Sequence, residues 1–139
     1  ITDTQPILFL PSDHLVEKKS IFNKAINKNK TYLNGKNIFI FGIKPQFPSS
    51  QYGYFIPKSN SKGICVVDKF IEKPDLKKAK QIIKKKGYWN SGILLANKIS
   101  IINNFSKYQN VGLDLNYSFD TRNIYNDPTN GLLFNIGLE

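Results

Sequence analysis

The sequence contains no methionine, one cysteine, one histidine, one tryptophan and one arginine in 139 residues. A single cysteine, Cys65, can form neither an internal disulfide nor a cysteine-based zinc site, which points to a reducing, cytoplasmic compartment. His14, with no second histidine or nearby cysteine, gives no zinc site and reads as a structural residue. The single arginine, Arg122, argues against sequence-reading of nucleic acid, which leans on arginine for bidentate base contacts. No apolar run approaches the roughly 20 residues that a membrane-spanning helix needs. The opening stretch ITDTQPILFLPSD has no basic segment ahead of its apolar run, so it is no secretory signal. With no methionine at all, the chain starts abruptly at Ile1, and it reads as a piece of a longer product whose upstream part is missing.

What is present is mostly lysine, asparagine and isoleucine. Lys+Arg of 20 against Asp+Glu of 10 gives a net charge of +10. Asn at 16 and Ile at 18 accompany the lysines, a combination that AT-rich codon usage produces. The charge therefore reads first as a solvated lysine surface, with a selected anion-binding field as the alternative. A hydrophobic content of 40% with 22% charged residues describes a soluble globular chain. Its length suits one compact domain that buries roughly two-thirds of its unfolded surface.

Along the chain, strand and helix patterns alternate. Pro6 to Leu10 is a short apolar run, predicted as a buried central strand that ends in the loop Pro11-Ser12-Asp13-His14. Glu17 to Asn29 carries Ile21, Phe22, Ala25 and Ile26 at helical spacing. A turn at Asn34-Gly35 precedes a second buried strand, Asn37 to Ile43. Pro45, Pro48 and Pro57 then forbid a regular element between Lys44 and Ser61, where Tyr52-Gly53-Tyr54-Phe55 forms an aromatic cluster. Gly63 to Ile71 is a third strand that stops at Glu72-Lys73-Pro74. Asp75 can cap a helix whose Leu76, Ala79, Ile82 and Ile83 face inward, with Gly87 placed to end it. The other face of that helix carries Lys77, Lys78, Lys80, Lys84, Lys85 and Lys86, which read more readily as a solvated face than as a binding patch. Ile93 to Ala96 is apolar, Ile99 to Phe105 fits a helix, and Leu113 to Asp120 alternates as a half-buried strand. Asp127 to Gly131 is a turn. The alternation predicts an α/β domain with a mixed, mostly parallel sheet over residues 1–139.

Three polar clusters fall where open α/β sheets bind ligands: Ser12-Asp13-His14, Glu72-Lys73, and Asn90-Ser91. A carboxylate at a strand end, such as Asp13, suits Mg²⁺, which takes one or two carboxylates plus substrate phosphates. Glu72 and Lys73, fixed by Pro74, can accept from sugar hydroxyls and balance a phosphate charge. Asn90 offers both a donor and an acceptor. Taken singly each has a simpler structural reading: Asp13 as a turn or cap residue, Glu72-Lys73 as a surface pair, Asn90-Ser91 as a turn, and Tyr52 and Tyr54 as packing aromatics. Asp114, Asn116, Ser118 and Asp120 echo a calcium loop, but Phe119 and Tyr125 stand where its glycine and bidentate glutamate belong.

The order of the clusters adds information. Leu10-Pro11-Ser12-Asp13-His14, Phe41-Gly42-Ile43-Lys44-Pro45, Tyr52-Gly53-Tyr54, Phe70-Ile71-Glu72-Lys73-Pro74-Asp75 and Trp89-Asn90-Ser91-Gly92 follow one another at intervals that closely resemble those of the mannose-1-phosphate guanylyltransferases, in the bacterial type often fused to a phosphomannose isomerase. The resemblance covers about Pro6 to Phe105. It implies a Rossmann-like nucleotidyltransferase core that joins GTP and mannose 1-phosphate into GDP-mannose with release of pyrophosphate, assisted by Mg²⁺. By resemblance Asp13 is the metal ligand, Asp13 and Lys73 are the catalytic residues, and Tyr52, Gly53, Tyr54, Glu72, Lys73 and Asn90 bind the sugar phosphate.

The chain also departs from that pattern. The family's Gly-rich triphosphate loop belongs upstream of Pro6, and nothing here replaces it. Gln51 stands where glycine usually precedes Tyr-Gly-Tyr, and one aromatic is missing before Trp89. Residues 1–107 thus resemble the sugar-phosphate side of the core, while 108–139 are unassigned, with Asp114 and Asp120 candidates for the second metal ligand by residue type alone. The expectation is a fragment without turnover, either paired as a homodimer or completed by the missing N-terminal half. Its rivals are another sugar-1-phosphate nucleotidyltransferase, a non-catalytic basic module for nucleic acid, and a gene remnant. The leading reading requires Asp13 and Glu72-Lys73 to converge on one ligand.

Overall fold

In order along the chain lie β1 (Pro6–Phe9), α1 (Lys19–Lys30), β2 (Ile38–Ile43), β3 (Tyr54–Pro57), β4 (Ile64–Ile71), α2 (Leu76–Lys84), β5 (Tyr88–Asn97), α3 (Lys98–Gln109) and β6 (Leu132–Ile136). The structure is a computed structural model and describes residues 2–58, 64–109 and 132–136. The strand expected at Leu113 to Asp120, the turn at Asp127 to Gly131, and the candidates Asp114 and Asp120 lie outside the described residues. None of the described helices is long and apolar enough to cross a membrane.

The sheet runs β1-β5-β2-β6-β4-β3, with a further pairing of β3 to β5. Among the described residues only β2 and β6 pair in parallel; β1–β5, β2–β5, β3–β4, β3–β5 and β4–β6 are antiparallel. The expected mostly parallel sheet is thus corrected to a mostly antiparallel one. The reason lies in the order of insertion. β1 and β2, joined through α1, do run in the same direction, but β5 enters between them in the opposite sense. Alternating strand and helix patterns fix the direction of successive strands and leave open which strand lies beside which.

The residues of β2 explain why its sequence is apolar throughout. Ile38 and Ile40 point into one core cluster with Phe55, Cys65, Val67, Phe70 and Ala96, against which Ile101 of α3 packs. Phe39 and Phe41 point the other way, toward Phe22 and Ala25 of α1 and toward Ile93 and Leu95. A strand covered on both faces reads as a continuous apolar run. Phe39, Phe41 and Phe55 are fully buried, and each contributes about 1.5–3 kcal/mol of hydrophobic stabilisation. Gly42 is needed on this strand, because a Cβ there would lie 2.5 Å from Cζ of Phe55.

β1 differs from its expected role. Pro6 to Phe9 pairs with β5 and with no second strand among the described residues, and Phe9 is 44% exposed. Among the described residues it lies at the edge of the sheet and not at its centre. An apolar run signals a demand for burial, and it does not report whether a covering strand is at hand.

α1 begins at Lys19, two residues later than expected, with no side-chain bond at its N-cap Lys18. α2 follows its expected capping: Asp75 accepts from the backbone N–H of Lys78 at 2.7 Å. Ala79 and Ile82 face inward as expected, whereas Leu76, in the first turn, is exposed. The helix ends in a Schellman arrangement: Gly87 N–H donates to Ile82 C=O and Lys86 N–H to Ile83 C=O. The left-handed residue there is Lys86, at φ 59°, and not Gly87. Gly87 is instead buried beside Ile82 and Phe55.

Candidate functional site

One line of strand pairings organises the site. Ile43 pairs with Trp89, Trp89 with Tyr54, and Tyr54 with Ile71. The end of β2, the start of β5, the start of β3 and the end of β4 therefore meet. Each of the segments Tyr52-Gly53, Glu72-Lys73 and Asn90-Ser91 leaves that line by one or two residues, so positions far apart in sequence become neighbours.

Gly53 is the hub. Its carbonyl accepts from the backbone N–H of Asn90 at 2.8 Å. A Cβ on Gly53 would lie 2.6 Å from Oε2 of Glu72 and 3.0 Å from Cζ of Phe70. The bare backbone is what allows the Glu72 carboxylate to lie there. Lys73 follows in the left-handed region at φ 41°, a conformation that costs a non-glycine residue on the order of 1–2 kcal/mol. It is held by the buried Pro74 and by Asp75, which starts α2. Such strain is commonly retained where a side chain must be aimed.

The loop before Gly53 is shaped from within. The Tyr54 hydroxyl accepts from the backbone N–H of Ser49 at 2.9 Å and donates to the Ser49 carbonyl at 3.0 Å. The Ser49 hydroxyl in turn accepts from the backbone N–H of Gln51 at 3.1 Å. Tyr54 is fully buried, so its expected contact with ligand is corrected: the side chain props the loop and presents no surface to a ligand. Tyr52 is 44% exposed and packs on Trp89, with ring centroids 4.9 Å apart. Phe47 packs edge-on against the same indole at 5.1 Å.

Asn90 is half-buried, and its Oδ1 accepts from the backbone N–H of Gly92 at 3.2 Å. The amide NH₂ of Asn90 is a second functional group at this point. Ser91 is buried and donates to the Phe41 carbonyl at 2.7 Å, which ties β5 to β2.

Asp13 belongs to the adjoining compartment. It lines a cavity of about 530 Å³ with His14, Val16, Phe22, Ile43 and Ser91 among its neighbours. Glu72 and Lys73 do not line that cavity. The structure thus brings Glu72 and the backbone of Asn90 to Gly53 and sets Asp13 on a separate cavity, so the expected convergence of Asp13 with Glu72-Lys73 on one cavity is not seen among the described residues. Ile43 is shared, since it borders the cavity and pairs with Trp89. Among the described residues the one ion pair is Lys98 to Asp3 at 2.9 Å, so Asp13, Glu72 and Lys73 are not engaged with opposite charges there. All three are exposed.

No trio of His, Cys, Asp or Glu among the described residues forms a cation cage. The donor set at Asp13 is a single exposed carboxylate beside a cavity. Zinc and calcium sites need more protein ligands than this, whereas Mg²⁺ asks one or two carboxylates of the protein and takes waters and substrate phosphates for the rest.

Two aromatic partners are not legible as such in the sequence. Phe47 sits between Pro45 and Pro48, where loop composition hides its packing, and Trp89 reads only as a neighbour of Asn90. The signal for both is the concentration of aromatic residues on either side of Gly53.

Comparison with known proteins gives this geometry a context. A mannose-1-phosphate guanylyltransferase of Escherichia coli is 35% identical over 109 residues, covering 74% of this chain and 24% of its own length. The xanthan biosynthesis protein XanB of Xanthomonas campestris is 34% identical over 104 residues, covering 74% and 22%. The fold matches a crystal structure described as mannose-1-phosphate geranyltransferase from Thermus thermophilus, with a TM-score of 0.78 at 19% identity over 95% of this chain and 44% of that one. The chain spans about a quarter of the length of these curated relatives. The nucleotidyl transferase family model matches residues 1–120. This chain belongs to the nucleotidyl transferase family.

Proposed function

We propose that the chain carries the sugar-phosphate side of a mannose-1-phosphate guanylyltransferase. The observation that carries the reading is the contact of Glu72 with Gly53, whose carbonyl also holds Asn90. The Glu72 carboxylate and the backbone N–H of Asn90 lie at this one glycine, and Lys73 follows Glu72 directly in the chain. Glu72 accepts hydrogen bonds from two hydroxyls of a hexose, a geometry suited to a carboxylate. The Asn90 amide donates to a further hydroxyl, and Tyr52 covers the ring. Lys73 neutralises the phosphate of mannose 1-phosphate.

In the reaction the sugar phosphate oxygen attacks the α-phosphorus of GTP in line. A new P–O bond forms, the bond between the α- and β-phosphates breaks, and pyrophosphate leaves. Lys73 and Asp13 act by positioning and charge balance, not by covalent chemistry. Mg²⁺ held by Asp13 would supply charge neutralisation for the phosphates. The described residues include no Gly-rich loop for a triphosphate, so the 139-residue chain is expected to bind mannose 1-phosphate and to lack turnover. Completion by a separate N-terminal half, or pairing with a second copy, belongs to the same reading, as does a cytoplasmic setting.

The test is calorimetric titration of mannose 1-phosphate. Saturable binding that Glu72→Gln and Lys73→Ala each weaken supports the proposal. Binding indifferent to both variants overturns it. Titration with glucose 1-phosphate separates this assignment from a nucleotidyltransferase for another hexose. Formation of GDP-mannose by the chain alone would refute the expected lack of turnover.

A further inference from the structure

The lysine-rich face of α2 divides into two sets once its surroundings are known. Lys78, Gln81 and Lys85 lie three and four residues apart on one stripe of the helix. They form one wall of a cavity of about 570 Å³. Lys69 and Asp68 of β4 border the same space, with Ile56, Phe70, Ile71 and Ile82 also at its lining. Lys77, Lys80, Lys84 and Lys86 are not part of it.

A break in the sheet aims Lys69 at this space. Ile56 pairs with Lys69, but the next residue, Pro57, pairs with Val67. Asp68 is therefore an extra residue, a β-bulge. Asp68 and Lys69 are both exposed, where regular alternation would turn one of them inward. Three ammonium groups from two elements thus border one concavity. Among the described residues none of them is in an ion pair, although Asp68 borders the same space. Three lysines against one aspartate give this concavity a net positive charge, which favours an anion.

Its dimensions narrow the ligand. Lys78 and Lys85 are separated by about 10 Å along the helix axis, which suits an extended anion over a single phosphate. We propose that this cavity binds a small polyphosphate-bearing ligand, its phosphates held by Lys69, Lys78 and Lys85. The site is distinct from that of Glu72 and Lys73, which do not border it, and it stands whether or not the proposed function does.

The experiment is titration of the whole chain with inorganic pyrophosphate and, separately, GTP at low salt. Four lysine variants serve: the double variant Lys78→Ala/Lys85→Ala, single Lys69→Ala, single Lys73→Ala, and the double variant Lys77→Ala/Lys84→Ala. The last removes the same charge from the same helix outside the cavity. Saturable binding, weakened at least about tenfold by the first double variant and less than about twofold by the last, supports the site. GTP binding more tightly than pyrophosphate would show that the nucleoside adds to recognition, and equal affinity would assign recognition to the phosphates alone; both support a polyphosphate ligand. Equal weakening by the two double variants would reduce the effect to the general lysine field and overturn the proposal. Loss with Lys73→Ala while Lys78→Ala/Lys85→Ala binds normally would move the anion to the sugar-phosphate site and overturn it, as would no saturable binding up to about 10 mM. Mannose 1-phosphate affinity of the Lys78→Ala/Lys85→Ala chain, expected to be unchanged, separates a failure here from a failure of the proposed function.

Discussion

The carboxylate of Glu72 rests against the backbone of Gly53 so closely that a single added carbon, at 2.6 Å from Oε2, would collide with it. The same glycine carbonyl receives the N–H of Asn90. A residue without a side chain therefore fixes the relative position of an acceptor from β4 and an amide from β5.

Gly53→Ala should move the carboxylate and press on the Phe70 ring beneath it. Overpacking of this kind costs about 1–3 kcal/mol, and the displaced Glu72 should weaken mannose 1-phosphate binding by about tenfold. Urea denaturation and calorimetry on one preparation separate the two effects. Wild-type affinity in Gly53→Ala would mean that Glu72 does not hold the sugar from this position.

Tyr54→Phe probes the loop that carries Gly53. It removes a hydroxyl that both accepts from and donates to Ser49, and it leaves the buried Ser49 N–H without that partner. The expected cost is about 1–3 kcal/mol. Chemical denaturation measures it, and an unchanged midpoint would show that the loop keeps its shape by other means.

How much of this is legible in the sequence follows from the range of each signal. β2 is readable because both its faces are buried and its apolar run is uninterrupted. The start of α2 is readable because the Asp75 cap is a contact between residues three apart. Glu72, Lys73, Gly53 and Asn90 can be named from their order along the chain. Their meeting depends on the pairing of Trp89 with both Ile43 and Tyr54, which no local pattern encodes. The insertion of β5 between β1 and β2 is hidden for the same reason. The Asp68 bulge escapes notice because an extra residue becomes visible only once the partner strand is known. Lys86 in place of Gly87 as the left-handed residue shows that close packing at Ile82 can outweigh a backbone preference.

Asp75→Ala tests the join between the candidate site and α2. It deletes the acceptor for the Lys78 N–H and should lower stability by about 1 kcal/mol. Because Pro74 and Asp75 also fix the approach to Lys73, mannose 1-phosphate affinity should fall in parallel. Asp75→Asn, which keeps a capping oxygen, should restore most of the stability. Equal loss in Asp75→Asn and Asp75→Ala would show that the charge, and not the cap, is what matters.

The open side of β1 leads to a final expectation about association. Phe9 and Leu10 are 44% and 52% exposed, and β5 is the sole neighbour of β1 among the described residues. Edge strands are ordinarily guarded by lysine. This chain has 20 basic residues, yet its first lysine is Lys18, so the edge carries none. Two copies with a net charge of +10 repel least where lysine is missing, and an apolar edge there offers backbone groups to another strand. Sedimentation velocity should show self-association that grows with protein concentration, and Phe9→Lys should return the chain to a monomer by adding the missing guard. Wild-type chain that stays monomeric at millimolar concentration, or Phe9→Lys that associates as strongly as wild type, would show that this edge is not the contact.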